Sequence, residues 1–155
     1  MRRIAIILLA IIFLLTGCRS IEPKTSNINS KISVSLCGNE YEGSMMFSAG
    51  ILKLSVNIFD DPVVVESNQN STTITYGGMT YECDNQSAKT VELLRKALTA
   101  SKDKPNKTAH GTYELNQNFN GTSYSITFDK NGNILTVSVP SIELEIEFIQ
   151  KEPTD

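Results

Sequence analysis

From Ile32 to Phe148 the chain repeats one pattern, short runs in which apolar and polar residues take turns. A period of two sends successive side chains to opposite faces of a strand, so each run has one face to bury and one that can meet water. Ile32, Val34 and Leu36 share a face opposite Ser33 and Ser35. Tyr41, Gly43, Met45 and Phe47 alternate with Glu40, Glu42 and Ser44, and Leu52, Leu54, Val56 and Ile58 with Lys53, Ser55 and Asn57. Val63 to Glu66 is less regular; Ile74 and Tyr76 follow, then Met79 and Tyr81 opposite Thr80 and Glu82. Later runs are Tyr113, Leu115 and Phe119, then Tyr124, Ile126 and Phe128, then Leu135, Val137 and Val139. The last run is the most regular, with Ile142, Leu144, Ile146 and Phe148 on one face and Glu143, Glu145 and Glu147 on the other.

The joints carry turn chemistry. Gly38-Asn39, Gly77-Gly78, Asn120-Gly121 and Asp129-Lys130-Asn131-Gly132-Asn133 supply residues that tolerate positive φ, as tight hairpins require, so consecutive strands should lie antiparallel and side by side. One segment breaks the pattern. Between Ser87 and Ser101, Val91, Leu94 and Leu98, supported by Ala97, fall on one helical face, while Lys89, Glu92, Arg95 and Lys96 fall elsewhere. Ser87 can cap this helix, Glu92 and Lys96 form an i,i+4 pair, and Pro105 prevents continuation. The expected class is mainly β (α+β): a curved antiparallel sheet, or unclosed β-barrel, wrapping one α-helix. A flat sheet of this pattern would leave a large apolar face in water.

The N-terminus has a different character. Arg2 and Arg3 precede an apolar run from Ile4 to Leu15, and Leu15-Thr16-Gly17-Cys18 closes it. A basic start and a short apolar run form a secretory signal, and this run falls short of the roughly 20 apolar residues that span a bilayer. With small residues ahead of the cysteine, residues 1–17 resemble the signal peptide of a bacterial lipoprotein. That resemblance implies that Cys18 takes a diacylglycerol, becomes the N-terminus after cleavage, and holds the protein to the extracytoplasmic face of the cell membrane. Each buried acyl methylene contributes about 0.8 kcal/mol to such an anchor. Residues 18–30, with much Ser, Asn, Lys, Thr and Pro, are expected to be the lipidated cysteine and a flexible tether; residues 31–150 are expected to be one β domain and residues 151–155 a C-terminal tail. The chain has 14 Lys and Arg against 17 Asp and Glu, and two of the arginines lie in the signal, so what remains is acidic. Such a balance does not by itself draw nucleic acid or anionic headgroups.

Glu40-Tyr41-Glu42-Gly43, the hairpin Ile74-Thr75-Tyr76-Gly77-Gly78-Met79-Thr80-Tyr81-Glu82, the helix after it and the closing strands to Phe148 together resemble the small LolA-like lipoproteins, which are similar to the lipoprotein-carrier superfamily. The resemblance implies an unclosed β-barrel with helical material in its mouth and, as in the larger carriers, a concave apolar cavity that holds acyl chains. This chain has one helix where the carriers have several. Candidates for lining an apolar ligand cavity are Leu52, Leu54, Val91, Leu94, Leu98, Tyr124 and Phe148, although for each taken singly a plain core role is the safer reading.

Catalytic patterns are sparse. His110 is the only histidine and follows the Lys-rich segment from Lys102 to Lys107, no serine or cysteine stands in a G-x-S-x-G context, and the glutamates of the last run read as the wet face of a strand. The Asp129 stretch has its glycine too early for a calcium loop and lacks the closing glutamate. No Cys-x-x-Cys or Cys/His grouping suggests a metal, so neither an enzyme nor a cofactor is expected. Cys37 and Cys83 are candidates for a disulfide closing a loop of about 46 residues, worth roughly 4 kcal/mol. Their parity argues against it, since Cys37 falls on a serine face and Cys83 follows Met79 and Tyr81 on an apolar one. The expected function is a membrane-anchored, non-enzymatic binding module for a hydrophobic ligand, a lipid or acyl chain. The alternative is a cell-envelope structural or protein-interaction lipoprotein with a filled core, whose partner would be another envelope protein.

Overall fold

The computed structural model describes residues 21–58, 60–99 and 103–149; Cys18, the signal and the C-terminal tail lie outside them. Among the described residues eleven strands form one antiparallel sheet: β1 (Asn27–Leu36), β2 (Asn39–Ser48), β3 (Ile51–Val56), β4 (Val63–Ser67), β5 (Ser71–Tyr76), β6 (Met79–Asp84), β7 (Asn106–Lys107), β8 (Tyr113–Phe119), β9 (Thr122–Phe128), β10 (Ile134–Val139) and β11 (Leu144–Ile149). Helix α1 (Lys89–Leu98) follows β6. The spatial order is β6-β5-β4-β3-β2-β1-β11-β10-β9-β8-β7, so the chain meanders outward from β1 to β6 and returns from β7 to β11, where β11 pairs with β1. The fold is therefore mainly β, with a curved sheet that is not closed; β6 and β7 are its free edges.

Two-residue hairpins hold the meander together. The β1–β2 turn is Cys37-Gly38, with φ of 49° and 77°, and Leu36 faces Asn39 across it. Two successive left-handed residues give a turn whose twist matches the flanking strands. The turn thus lies one residue earlier than Gly38-Asn39, and Cys37 leaves the strand. Ala49-Gly50 makes the same geometry between β2 and β3, without a sequence signal as strong as Asn-Gly.

The inner face follows the predicted alternation through most strands. Ile32, Val34, Met45, Phe47, Leu52, Ile126, Phe128, Val137, Val139, Ile146 and Phe148 join Leu93, Leu94, Ala97 and Leu98 of α1 in one core cluster. Gly43 shows how sharply the sheet bends there. Its inward side faces the β3 backbone so closely that a Cβ would collide with the carbonyl oxygen of Ser55. In a flat sheet the neighbouring backbone stays clear of an inward Cβ, so glycine is required where β3 curls over β2. Gly43→Ala is expected to lower stability by about 1 to 3 kcal/mol, the usual cost of overpacking, read as a shift in the urea midpoint. An unchanged midpoint would mean that the bend relaxes freely.

Local departures from the expected pattern have physical causes. In β10 the register shifts between Ile134 and Thr136, so Ile134, Val137 and Val139 are buried while Leu135 is only half-buried; one extra residue bulges out of the ladder. Ile142 belongs to a 3-10 turn (Pro140–Ile142), and β11 starts at Leu144 after Glu143 adopts φ 49°. Helix α1 is shorter than Ser87 to Ser101, and its N-cap is Ala88 without a side-chain cap. Asp84 serves the preceding turn instead, its Oδ1 accepting a 2.7 Å hydrogen bond from Ser87 N–H. That backbone bond, with the Ser87 side chain, holds the Asp84 carboxyl below its ordinary value against a small opposing effect of burial.

The expected tether is the largest correction to the chain's organisation. β1 begins at Asn27, inside residues 18–30, because it pairs with β2 as far as Ser48. Residues 21–26 are seated as well: Lys24 N–H donates to Gly132 O at 2.8 Å, Thr25 is 4% exposed, and Ile21 packs against the core. Gly132 is needed at this contact, since a Cβ there would collide with the carbonyl oxygen of Glu22. Polar composition suggested a free segment, but these backbone groups find partners in the β9–β10 turn. Asp129 shapes that turn, its carboxylate accepting from the backbone of Asn131 and from the backbone and side chain of Asn133. Burial would raise the Asp129 pKa, but these bonds and the nearby charge of Lys24 hold it below the ordinary carboxylate range.

Candidate functional site

Cross-strand register aligns the inward residues into rows that run across β2 to β6. In the lower row Phe47 pairs with Leu52, Leu52 with Ser67, Ser67 with Thr72 and Thr72 with Cys83. Phe47, Leu52, Ser67 and Thr72 are all buried. Thr72 Oγ1 lies 2.9 Å from both Ser67 Oγ and Asn85 Oδ1, and Asn85 Nδ2 donates to Asn68 O at 2.9 Å. The lead into α1 is thereby pinned over this row, and its buried hydroxyls are satisfied.

The next row is covered only at one end. Met45 pairs with Leu54, Leu54 with Val65, Val65 with Ile74 and Ile74 with Tyr81. Met45 is 1% exposed, Leu54, Val65 and Ile74 are half-buried, and Tyr81 is 66% exposed. Beyond it Tyr76 pairs with Met79, at 38% and 72% exposure. The apolar inner face thus runs out of the core into an open shelf on β4–β6. A cleft of about 360 Å³ lies between this shelf and α1, bounded by Ile74, Tyr81 and Cys83 on the sheet and by Ser87–Val91 on the helical side.

This shelf is not where the sequence placed the cavity. Of the seven candidates, Leu52, Leu94, Leu98, Tyr124 and Phe148 are buried core residues, whereas Leu54 and Val91 are half-buried and stand at the inner margin of the shelf. Val91 lines the cleft beside the shelf; Phe148 lines a separate cleft of about 620 Å³ and Tyr124 another of about 610 Å³. Burial, followed by the charge of Asp103, pushes the Tyr124 phenol above its ordinary pKa. Met79 and Tyr81, read from alternation as residues of a buried face, are the most exposed large apolar residues among those described. The missed signal is one of extent. Ten helical residues make a rod of about 15 Å, while strands about 4.8 Å apart make an eleven-stranded sheet far wider than that.

Cys37 and Cys83 are free. Cys37 is exposed in the β1–β2 turn, and Cys83 is half-buried on β6 with its Sγ 3.6 Å from Thr72 O, so they sit at opposite ends of a five-strand separation. The candidate bridge, against which strand parity argued, is absent because Cys37 belongs to a turn and β6 is a distant edge. Among the described residues no group of three or more His, Cys, Asp and Glu is placed to hold a metal ion, and no helix is long and apolar enough to cross a membrane. Neither protein-family models nor curated proteins match the chain.

Proposed function

We propose that the chain is an extracytoplasmic lipoprotein, anchored through Cys18, whose domain is a non-enzymatic binding module for a lipid or acyl chain. The observation that carries this reading is the row from Met45 to Tyr81, an apolar path that starts in the core and ends on an open shelf beside α1. The fold that goes with it is an unclosed barrel of LolA-like form, with α1 filling the gap between the edges. Two clefts support that arrangement: one has α1 against β5 and β6, and the other has it against Phe119, Asn120 and Thr122 at the β8–β9 turn. A ligand on the shelf would cover Tyr76, Met79 and Tyr81 and gain about 25 cal/mol per Å² of apolar surface removed from water.

The burial of five of the seven anticipated cavity residues favours a second reading, in which the interior is filled and the shelf receives an envelope protein. Native mass spectrometry of the chain from Arg19 onward, purified without detergent, separates the two. Extra mass that extracts into organic solvent as lipid is the expected result. A bare mass, with no uptake of an added apolar fluorophore, would leave the filled interior and a protein partner.

A further inference from the structure

We propose that the end of the domain built from residues 21–26 and the β9–β10 turn is a membrane-contacting surface, seated on the anionic phospholipid headgroups of the bilayer that holds the anchor. The inference rests on the reading of Cys18 as the lipidated residue. It follows from how little chain is left to act as a tether. Ile21 packs on the core, Glu22 and Lys24 are in backbone contact with Gly132, and Thr25 is buried. From Cys18 to Ile21 are three residues, which reach at most about 11 Å. The acyl chains therefore hold this end of the strands at the bilayer surface.

The side chains at this end suit that position. Lys24 and Lys130 border one cleft together with Ile21 and Tyr113, Lys24 and Lys31 border the adjoining one, and Lys107 pairs with Tyr113. These four lysines are exposed. Facing them are the carboxylates of Glu22 and Asp129, and that of Asp129 is already engaged by Asn131 and Asn133. Ile149, 48% exposed, lines the same cleft as Lys24 and Lys31, so an apolar side chain stands among the cations. Other carboxylates are set back from this cleft: Glu42 and Glu147 flank Ser33, one outer-face position from Lys31, Glu40 and Glu145 flank Ser35 a further position away, Glu114 pairs with Asn106, and Asp84 ends β6 across the sheet, where Ser87 engages it. Lys24, Lys107 and Lys130 thus form a local basic rim around residues 21–26 and the β9–β10 turn, with Lys31 nearer to the acids of the outer face. Within a Debye length of about 8 Å the rim is drawn to an anionic surface while the more distant acids are screened. The Gly77-Gly78 tip closes the opposite end of β5 and β6, so the shelf is directed away from this bilayer and open to ligands arriving from the aqueous side.

The test uses the full lipidated protein in vesicles of phosphatidylcholine, with or without phosphatidylserine, carrying a headgroup-attached quencher. A fluorophore is placed either at native Cys37, in a Cys83→Ser background, or at Asn131→Cys in a Cys37→Ser/Cys83→Ser background. With phosphatidylserine present, quenching at position 131 is expected to exceed that at Cys37 at least threefold, and Lys24→Glu/Lys130→Glu should remove most of the difference. Equal quenching at both positions in protein that still floats with the vesicles would overturn the seated orientation while leaving the anchor intact. A difference unchanged by omitting phosphatidylserine or by the lysine substitutions would overturn the headgroup contact. Protein that does not float with vesicles would remove the Cys18 reading, and the inference with it.

Discussion

Glu92→Gln is expected to destabilise the domain by about 3 kcal/mol, at the lower end of the cost of stripping one partner from a buried ion pair. Arg95 Nε and Nη2 each donate to the Glu92 carboxylate at 2.8 Å, and the two side chains are 6% and 13% exposed. Without the carboxylate charge the guanidinium stays desolvated with only a neutral amide oxygen to accept from it. The lower end applies because Glu92 borders a cleft of about 470 Å³ through which water can reach the site. Lys96, 3.9 Å from Glu92 and half-exposed, contributes little, as exposed pairs do. Replacing both partners, as in Glu92→Leu/Arg95→Met, should recover most of the loss, since an apolar pair of similar volume has no charge to desolvate. A double-mutant cycle followed by urea denaturation checks this. If the double variant were as damaged as the single one, packing volume rather than charge would be the cause.

Arg95 also marks where the sequence stopped being informative. The helical spacing put Val91, Leu94 and Leu98 on an inward face and Arg95 on the polar remainder, yet Arg95 is 5% exposed and Leu93 4%. Periodicity tells which residues share a face of a helix but says nothing about what flanks it. Here α1 borders one cleft shared with β5 and β6 and another shared with the β8–β9 turn, and Leu93 and Arg95 are buried off the predicted face. The same limit explains the shelf. Alternation assigned Ile74, Tyr76, Met79 and Tyr81 to the inner face correctly, as their register with Val65, Leu54 and Met45 requires. Whether an inner face is covered depends on where the helix ends and how the edges curl, neither of which is a local property of the strand.

What was legible were features encoded by neighbours in sequence. Gly77-Gly78 and Asn120-Gly121 sit in turns as expected, and among the described residues the one α-helix follows the sixth strand. Features that depend on distant partners were not legible: the seating of residues 21–26 against Gly132, the pairing of β1 with β11, and the bulge at Leu135. Ser, Asn and Pro made the N-terminal segment resemble a spacer, and a backbone hydrogen bond leaves no trace in side-chain composition.

Met79→Asp/Tyr81→Asp should weaken binding of an added apolar fluorophore by about 100-fold or more while leaving urea stability within about 0.5 kcal/mol. The first part follows from burial: each of these side chains, if covered by ligand, contributes about 1.5 to 3 kcal/mol, and about 1.4 kcal/mol is a factor of ten in affinity. The second follows from their 72% and 66% exposure, which leaves little native packing to lose. Both lie on an edge strand whose outer neighbour is solvent, so the added carboxylates remain hydrated in the free protein and must be desolvated only when an apolar molecule lies over them. Fluorescence titration beside a denaturation curve reads both quantities on one preparation. Binding that persists in the double variant would move the ligand off β6 and toward Leu54 and Val91 at the inner margin; loss of binding at unchanged stability would place it on the shelf itself.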